Sequence, residues 1–324
     1  MLNLFLSNRA STVIVIPILL LVFWFGSFFQ ILPNNIEPTY AYSAIYQEFQ
    51  VLPLLNRVLG FLTAVILVFV ISRIFNANDF YSKENAIPSL MLIIMIGAWN
   101  GFHFFSPIYF SLILLLMAVS RILKIYHQKS VIRELFDASF LIGLAALFYY
   151  PIILFGLSIW GFLTISRSFN WREFVVPLFG LLLPFYFLWV AFFYFDIQPD
   201  FFKITSVSEL NSMLFQVGLT QRLYLVITVI LLAFSLFYLF RVLDRAKVQM
   251  QLARKFLLIF FLNGILIYWV SLFYYPINER ALFLIVPMAM ILPFFFIESK
   301  PLVKNLSIYF WLLAALLFNY LSMY

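Results

Sequence analysis

FDASFLIGLAALFYYPIILFGLSIWGFLTISR, Phe136–Arg167, is the stretch that decides how the whole chain is read. One bilayer crossing takes roughly 20 apolar residues, and this run is about half as long again, with Pro151 near its middle. It is either one overlong kinked helix or two short ones. As one helix it reverses the sidedness of everything that follows. As a hairpin turning at Tyr149-Tyr150-Pro151, its halves hold about 14 and 16 residues, or roughly 21–24 Å at 1.5 Å rise per residue. Halves of that length are too short to cross squarely, and they thin the membrane or border a water-filled recess.

The charges flanking the other apolar runs choose between the two. Hydropathy predicts spans near 12–32, 58–75, 87–104, 107–124, 136–149, 151–166, 174–195, 222–240, 256–274, 281–297 and 303–322. With the N-terminus inside and the hairpin accepted, all but four of the 20 basic residues fall on the inner side. The exceptions are Arg57, Lys203, Arg222 and Arg280. Lysine and arginine concentrate in cytoplasmic loops. A single helix over 136–166 would instead send Arg241, Arg245, Lys247, Arg254 and Lys255 outside. The expected architecture is therefore an all-α, polytopic helical membrane protein of about 11 transmembrane helices. Its N-terminus is inside, its C-terminus outside, and two short helices form a hairpin at 136–166.

Composition leaves no room for a separate water-soluble domain, since 65% of the 324 residues are hydrophobic and 10% are charged. The chain reads as a single integral membrane domain over 1–324. Cysteine is absent, which excludes disulfides, thiolate metal sites and cysteine nucleophiles. A net charge of +7 suggests contact with anionic lipid and retention of cytoplasmic loops rather than nucleic acid. The first apolar run, Thr12–Leu32, reads as an uncleaved helix, because it is longer than a signal-peptide core and no small-residue cleavage site follows it.

Two outer loops are long enough to hold structure, 33–55 and 196–221. In the first, Tyr42, Tyr46 and Phe49 recur at i, i+4 and i+7, which predicts a short helix lying in the membrane interface. In the second, Ser206, Ser208 and Asn211 are candidate caps for a short amphipathic helix reaching Phe215.

No nucleotide-binding or metalloprotease motif occurs, and His103 and His127 are expected on opposite sides of the membrane, so neither a metal site nor a cofactor is expected. Ionisable residues are scarce within the spans, which disfavours a proton-coupled pump. Asn100, Thr228 and Asn263 read as interhelical hydrogen-bonding residues, and Asp137 as a helix N-terminal acid. The remaining candidates stand at the outer boundary. Glu37 follows the first span, Arg57 opens the second and His103 closes the third. Arg222 opens the eighth, and Glu279-Arg280 opens the tenth. Arginine forks suit phosphate oxygens, and a carboxylate can act as general base toward an acceptor hydroxyl. The plainer reading is that boundary arginines snorkel to lipid headgroups and that Glu37 is a loop acid in water.

FLIGLAALFYYPIILFGLSIWGFL, residues 140–163, resembles the short paired helices of the GT-C class of membrane glycosyltransferases. NERALFLIVPMAMILPFFF, residues 278–296, is similar to their late helix, in which an arginine precedes a proline-containing span. An acidic first outer loop with an interfacial helix behind it, here Glu37 and Tyr42–Phe49, belongs to the same pattern. The chain departs from the class in having Glu37 alone, flanked by Asn34, Asn35 and Pro38, where the class often has a paired acidic signature. It also lacks a basic residue at the Tyr149-Tyr150-Pro151 turn. The chain as a whole further resembles multi-pass bacterial inner-membrane proteins, a likeness that supplies a localisation but no function. The GT-C resemblance implies a polyprenyl-phosphate-linked sugar as substrate, with Glu37 as catalytic base. Arg57, His103, Arg222, Glu279 and Arg280 would form its binding site. Two other readings stay open: a non-enzymatic subunit or assembly factor bound to a membrane protein partner, and a transporter of lipid or small molecules.

Overall fold

The computed structural model describes residues 5–6, 10–29, 53–81, 83–127, 130–196, 219–243, 247–274 and 281–321, and these are helical with turns and short connections. The expected interfacial helix at Tyr42–Phe49, the caps at 206–211, and Glu37, Glu279 and Arg280 all lie outside the described residues. Among the described residues, seven helices are long and apolar enough to cross a membrane, and Ile87–Gly97, Tyr150–Ser166 and Leu282–Glu298 are shorter apolar segments.

The helices are α1 (Ala10–Trp24), α2 (Pro53–Ala77), α3 (Ile87–Gly97), α4 (Pro107–Lys124), α5 (Ile132–Phe148) and α6 (Gly156–Ser166). They continue as α7 (Trp171–Tyr194), α8 (Leu219–Leu243), α9 (Val248–Tyr274), α10 (Leu282–Ile291), α11 (Pro293–Glu298) and α12 (Pro301–Leu321). Local chemistry sets several of their starts. Ser106 caps α4 by accepting from the Ile108 amide, with Pro107 in the first turn where no donor is lost. Asn170 caps α7 in the same way through the Arg172 amide. Proline opens α11, where it takes up the fixed φ of a first turn.

The Phe136–Arg167 segment breaks where the sequence places its turn. Helix α5 ends at Phe148, Tyr149 is extended, and Tyr150–Phe155 forms a 3-10 helix before α6. The direction of each half follows from its contacts with α7. On α5, Phe136 and Ser139 meet Gly180, and Gly143 meets Leu181 and Pro184, so α5 and α7 run parallel. On α6, Gly156 meets Leu181, Trp160 donates to the Phe174 carbonyl, and Arg167 pairs with Glu173, so α6 and α7 run antiparallel. The chain therefore turns back on itself between α5 and α6. The two halves share α7 as their common packing partner. Glycine makes this possible, since a β-carbon at Gly143 would sit 2.6 Å from the Leu181 carbonyl oxygen. With no water to squeeze out, close approach of this kind is what holds membrane helices together.

Helix α5 starts at Ile132, earlier than the apolar run suggests, so Glu134 and not Asp137 is the acid in its first turn. Arg121 of α4 lies 3.3 Å from Glu134 and 4.0 Å from Asp137.

Helix α3 is the centre of the bundle, with every residue from Ile87 to Gly97 buried. It runs parallel to α1, where the Ala86 amide donates to the Phe5 carbonyl and Phe23 fills the space beside Gly97. It runs antiparallel to α2, through Ser72 to Asn85 and Ser89 to Val68. The polar side chains within spans join neighbours. Asn263 donates to Ser158 and Trp311 donates to Thr228, while Asn100, expected in a span, lies beyond the end of α3 and donates to the Asn319 carbonyl.

These contacts sort the basic residues by end. Among the described residues only Arg57 and Arg222 stand at the end that holds His103, Tyr149 and Asn319. The others, Arg73, Arg121, Arg172, Arg254 and Lys304 among them, gather at the opposite, basic end.

Candidate functional site

Three segments from separate spans meet at the end poor in basic residues. The first is the 3-10 turn Phe25–Phe29 that continues α1, the second is the opening turn of α2, and the third is the connection between α3 and α4. Helix α3 stops at Gly97, short of the expected 104, so His103 lies in this connection and not in a span. Gly60 of α2 allows the connection to lie directly on the helix, since a β-carbon there would fall 2.6 Å from the Phe104 carbonyl carbon. The Asn56 side chain then accepts from the Phe105 amide at 2.8 Å and fixes the register.

This places His103 beneath the site with no exposure to solvent. Its ring stacks on Trp24 at 4.1 Å between centroids, and Nδ1 is hydrogen-bonded to the Ser27 hydroxyl. The carbonyls of Ile96 and Gly97 also lie toward the ring. Burial first, and the positive charge of Arg57 second, push the His103 pKa from its ordinary 6.5 down to about 3. The ring is therefore neutral at physiological pH and can hold its neighbours without carrying charge.

Arg57 is 3% exposed and shares this cluster with His103. Two of the candidates are thus brought together. Arg222 stands in the first turn of α8 at the same end and is exposed. Two residues on, Tyr224 reaches the Ile94 carbonyl at 3.4 Å and stacks on Phe318, which packs the start of α8 against α3 and α12.

Ser27, Trp24, Asn56 and Asn319 escape a reading of the sequence because their partners lie far along the chain. Asn319 donates to the Gly97 carbonyl and to Asn100, closing the α3 end against α12. At the basic end Arg254 is a further such residue. It is 2% exposed and donates to the Phe80 and Val242 carbonyls while lying 5.5 Å over the Phe294 ring. Beside it Tyr81 donates to Glu298 at 2.6 Å, and burial followed by that carboxylate pushes the phenol pKa up.

No family model, curated protein or solved structure matches this chain.

Proposed function

We propose that the chain is an eleven-span inner-membrane protein with its N-terminus inside and its C-terminus outside. In this reading it binds a polyprenyl-phosphate-linked sugar at its outer face, in the manner of a GT-C glycosyltransferase. The observation that carries the reading is the meeting of Arg57 and His103 from separate spans at the end where basic residues are scarce. His103 is a positioning residue here. Its neutral, buried ring braces the connection over α2, while Arg57, Arg222 and Arg280 supply charge for a phosphate diester. Glu37, which lies between α1 and α2 in the sequence, is the assigned general base. The reversal between α5 and α6 supports the sidedness, because it keeps the basic loops on one side of the membrane.

The test is binding of a polyprenyl phosphate to the purified protein. Arg222→Gln and Arg280→Lys are each expected to weaken it by about tenfold, the loss of one charge-assisted contact. Affinity equal to wild type in both variants would count against phosphate recognition at this end.

A second reading, a non-enzymatic subunit of a membrane complex, draws on α7. Pro177, Gly180, Leu181 and Pro184 form its one packed stripe, while Phe179, Tyr186, Trp189, Phe193 and Tyr194 are exposed. So many outward aromatics on one helix suit a partner helix as well as lipid. Co-purification of a stoichiometric membrane protein, lost in Trp189→Leu, would favour this reading.

A further inference from the structure

At the basic end, Phe69, Ser72, Arg73, Asn76 and Ala77 of α2 line an open cleft of about 360 Å³ together with Glu84. The five α2 positions follow i, i+3, i+4, i+7 and i+8, which places them on one stripe of the helix. Over roughly 12 Å of helix rise the lining passes from an aromatic ring to a guanidinium to amide groups. Glu84 comes from the connection that follows the helix, and that connection is tied down beside the stripe. Asn76 donates to the Asn85 carbonyl at 3.0 Å and accepts from its amide at 3.1 Å, and Ser72 adds a bond to the same carbonyl. Arg73 is exposed and, among the described residues, engages no carboxylate. A cation and an anion thus line one cleft at the end of a membrane-length helix.

We infer that this cleft binds the headgroup of a zwitterionic phospholipid, a phosphate diester carrying a primary ammonium. The Arg73 guanidinium takes the phosphate oxygens, the Glu84 carboxylate accepts from the ammonium, and Phe69 lies along the start of the acyl chains. Along α2 the Phe69 ring precedes the Arg73 guanidinium toward the helix end, as the acyl chains precede the phosphate in such a lipid. Glu84 also sets specificity, since it repels an anionic headgroup that Arg73 alone would accept. The site lies at the opposite end from the Arg57–His103 cluster and does not depend on the function proposed there.

The test mixes purified protein with equal amounts of phosphatidylethanolamine and phosphatidylglycerol of matched acyl chains, and counts retained lipid by native mass spectrometry. Wild type is expected to retain the ethanolamine lipid about fivefold over the glycerol lipid, the ratio supplied by one charge contact at a membrane surface. Glu84→Gln should erase that preference, and Arg73→Gln should lower retention of both lipids. Both side chains are exposed, so neither change opens the core. Soluble phosphoethanolamine at the lipid's concentration should displace nothing, because it lacks the acyl chains. Equal retention by wild type, a preference unchanged in both variants, or displacement by the soluble headgroup would overturn the assignment.

Discussion

Gly180 of α7 lies against Ser139 of α5 so closely that a β-carbon on the glycine would fall onto the serine hydroxyl. The Phe136 carbonyl oxygen stands 2.9 Å from the same point, so a larger residue cannot be accommodated by a side-chain turn alone. This contact helps set α5 parallel to α7, and thereby the reversal of the chain before α6. Gly180→Leu is expected to cost about 1–3 kcal/mol by overpacking, whereas Ser139→Ala should cost under about 1 kcal/mol. Thermal unfolding of the purified variants in detergent checks both, and a silent Gly180→Leu would show that the two helices are not in contact.

His103 makes stability depend on pH in a defined window. Its folded pKa of about 3 lies below the ordinary 6.5, so below about 6.5 the unfolded chain binds a proton that the folded chain refuses. Stability is complete above pH 6.5 and falls by about 1.4 kcal/mol per unit as pH drops toward 3. Between pH 7 and pH 5 that amounts to about 2 kcal/mol. His103→Asn should flatten this part of the profile. Wild type and variant with equal slopes from pH 7 to 5 would mean that His103 titrates freely.

Arg254 joins three segments of the basic end through the Phe80 and Val242 carbonyls and the Phe294 ring. Arg254→Met keeps the volume and leaves both carbonyls without their donor. A loss of about 3–6 kcal/mol is expected from two bonds to a charged group. Arg254→Lys should recover only part of it, because one ammonium cannot reproduce the planar fork. Full recovery by lysine would reduce the role of Arg254 to charge alone.

Asn319 uses its amide to bind Gly97 and Asn100, and Asn319→Leu removes both contacts from the α3–α12 junction. The expected cost is about 1–2 kcal/mol, the usual range for polar contacts between membrane helices. The same thermal assay reads it.

The helical character, the break at Tyr149-Tyr150-Pro151 and the gathering of basic residues at one end were legible because each is written locally. Apolar length, a proline and the density of lysine and arginine need no knowledge of partners. The pairing of spans was not legible in the same way. Ser27 and His103 are 76 positions apart, and nothing in either neighbourhood marks the other. The burial of His103 and Arg57 follows from Gly60 letting the α3–α4 connection lie on α2, a contact that no periodicity announces. The sequence puts the end of α3 at 104, seven residues beyond Gly97, because the strongly apolar run before it and the aromatics Trp99, Phe102 and Phe104 outweigh Asn100, Gly101 and His103 in a hydropathy window. In sequence Arg254 reads as one of its basic neighbours, since a buried arginine satisfied by distant carbonyls looks like any loop charge.

The chain reverses within 136–167 and gathers the described basic residues at one end, and the proposed orientation puts that end in the cytoplasm. Single cysteines placed at Gln198 and at Lys247 in this cysteine-free chain test it directly, read out with a membrane-impermeant thiol reagent on intact cells. With the proposed sidedness, position 198 is labelled and position 247 is not until the membrane is opened. Labelling at position 247 in intact cells, with position 198 protected, would contradict it.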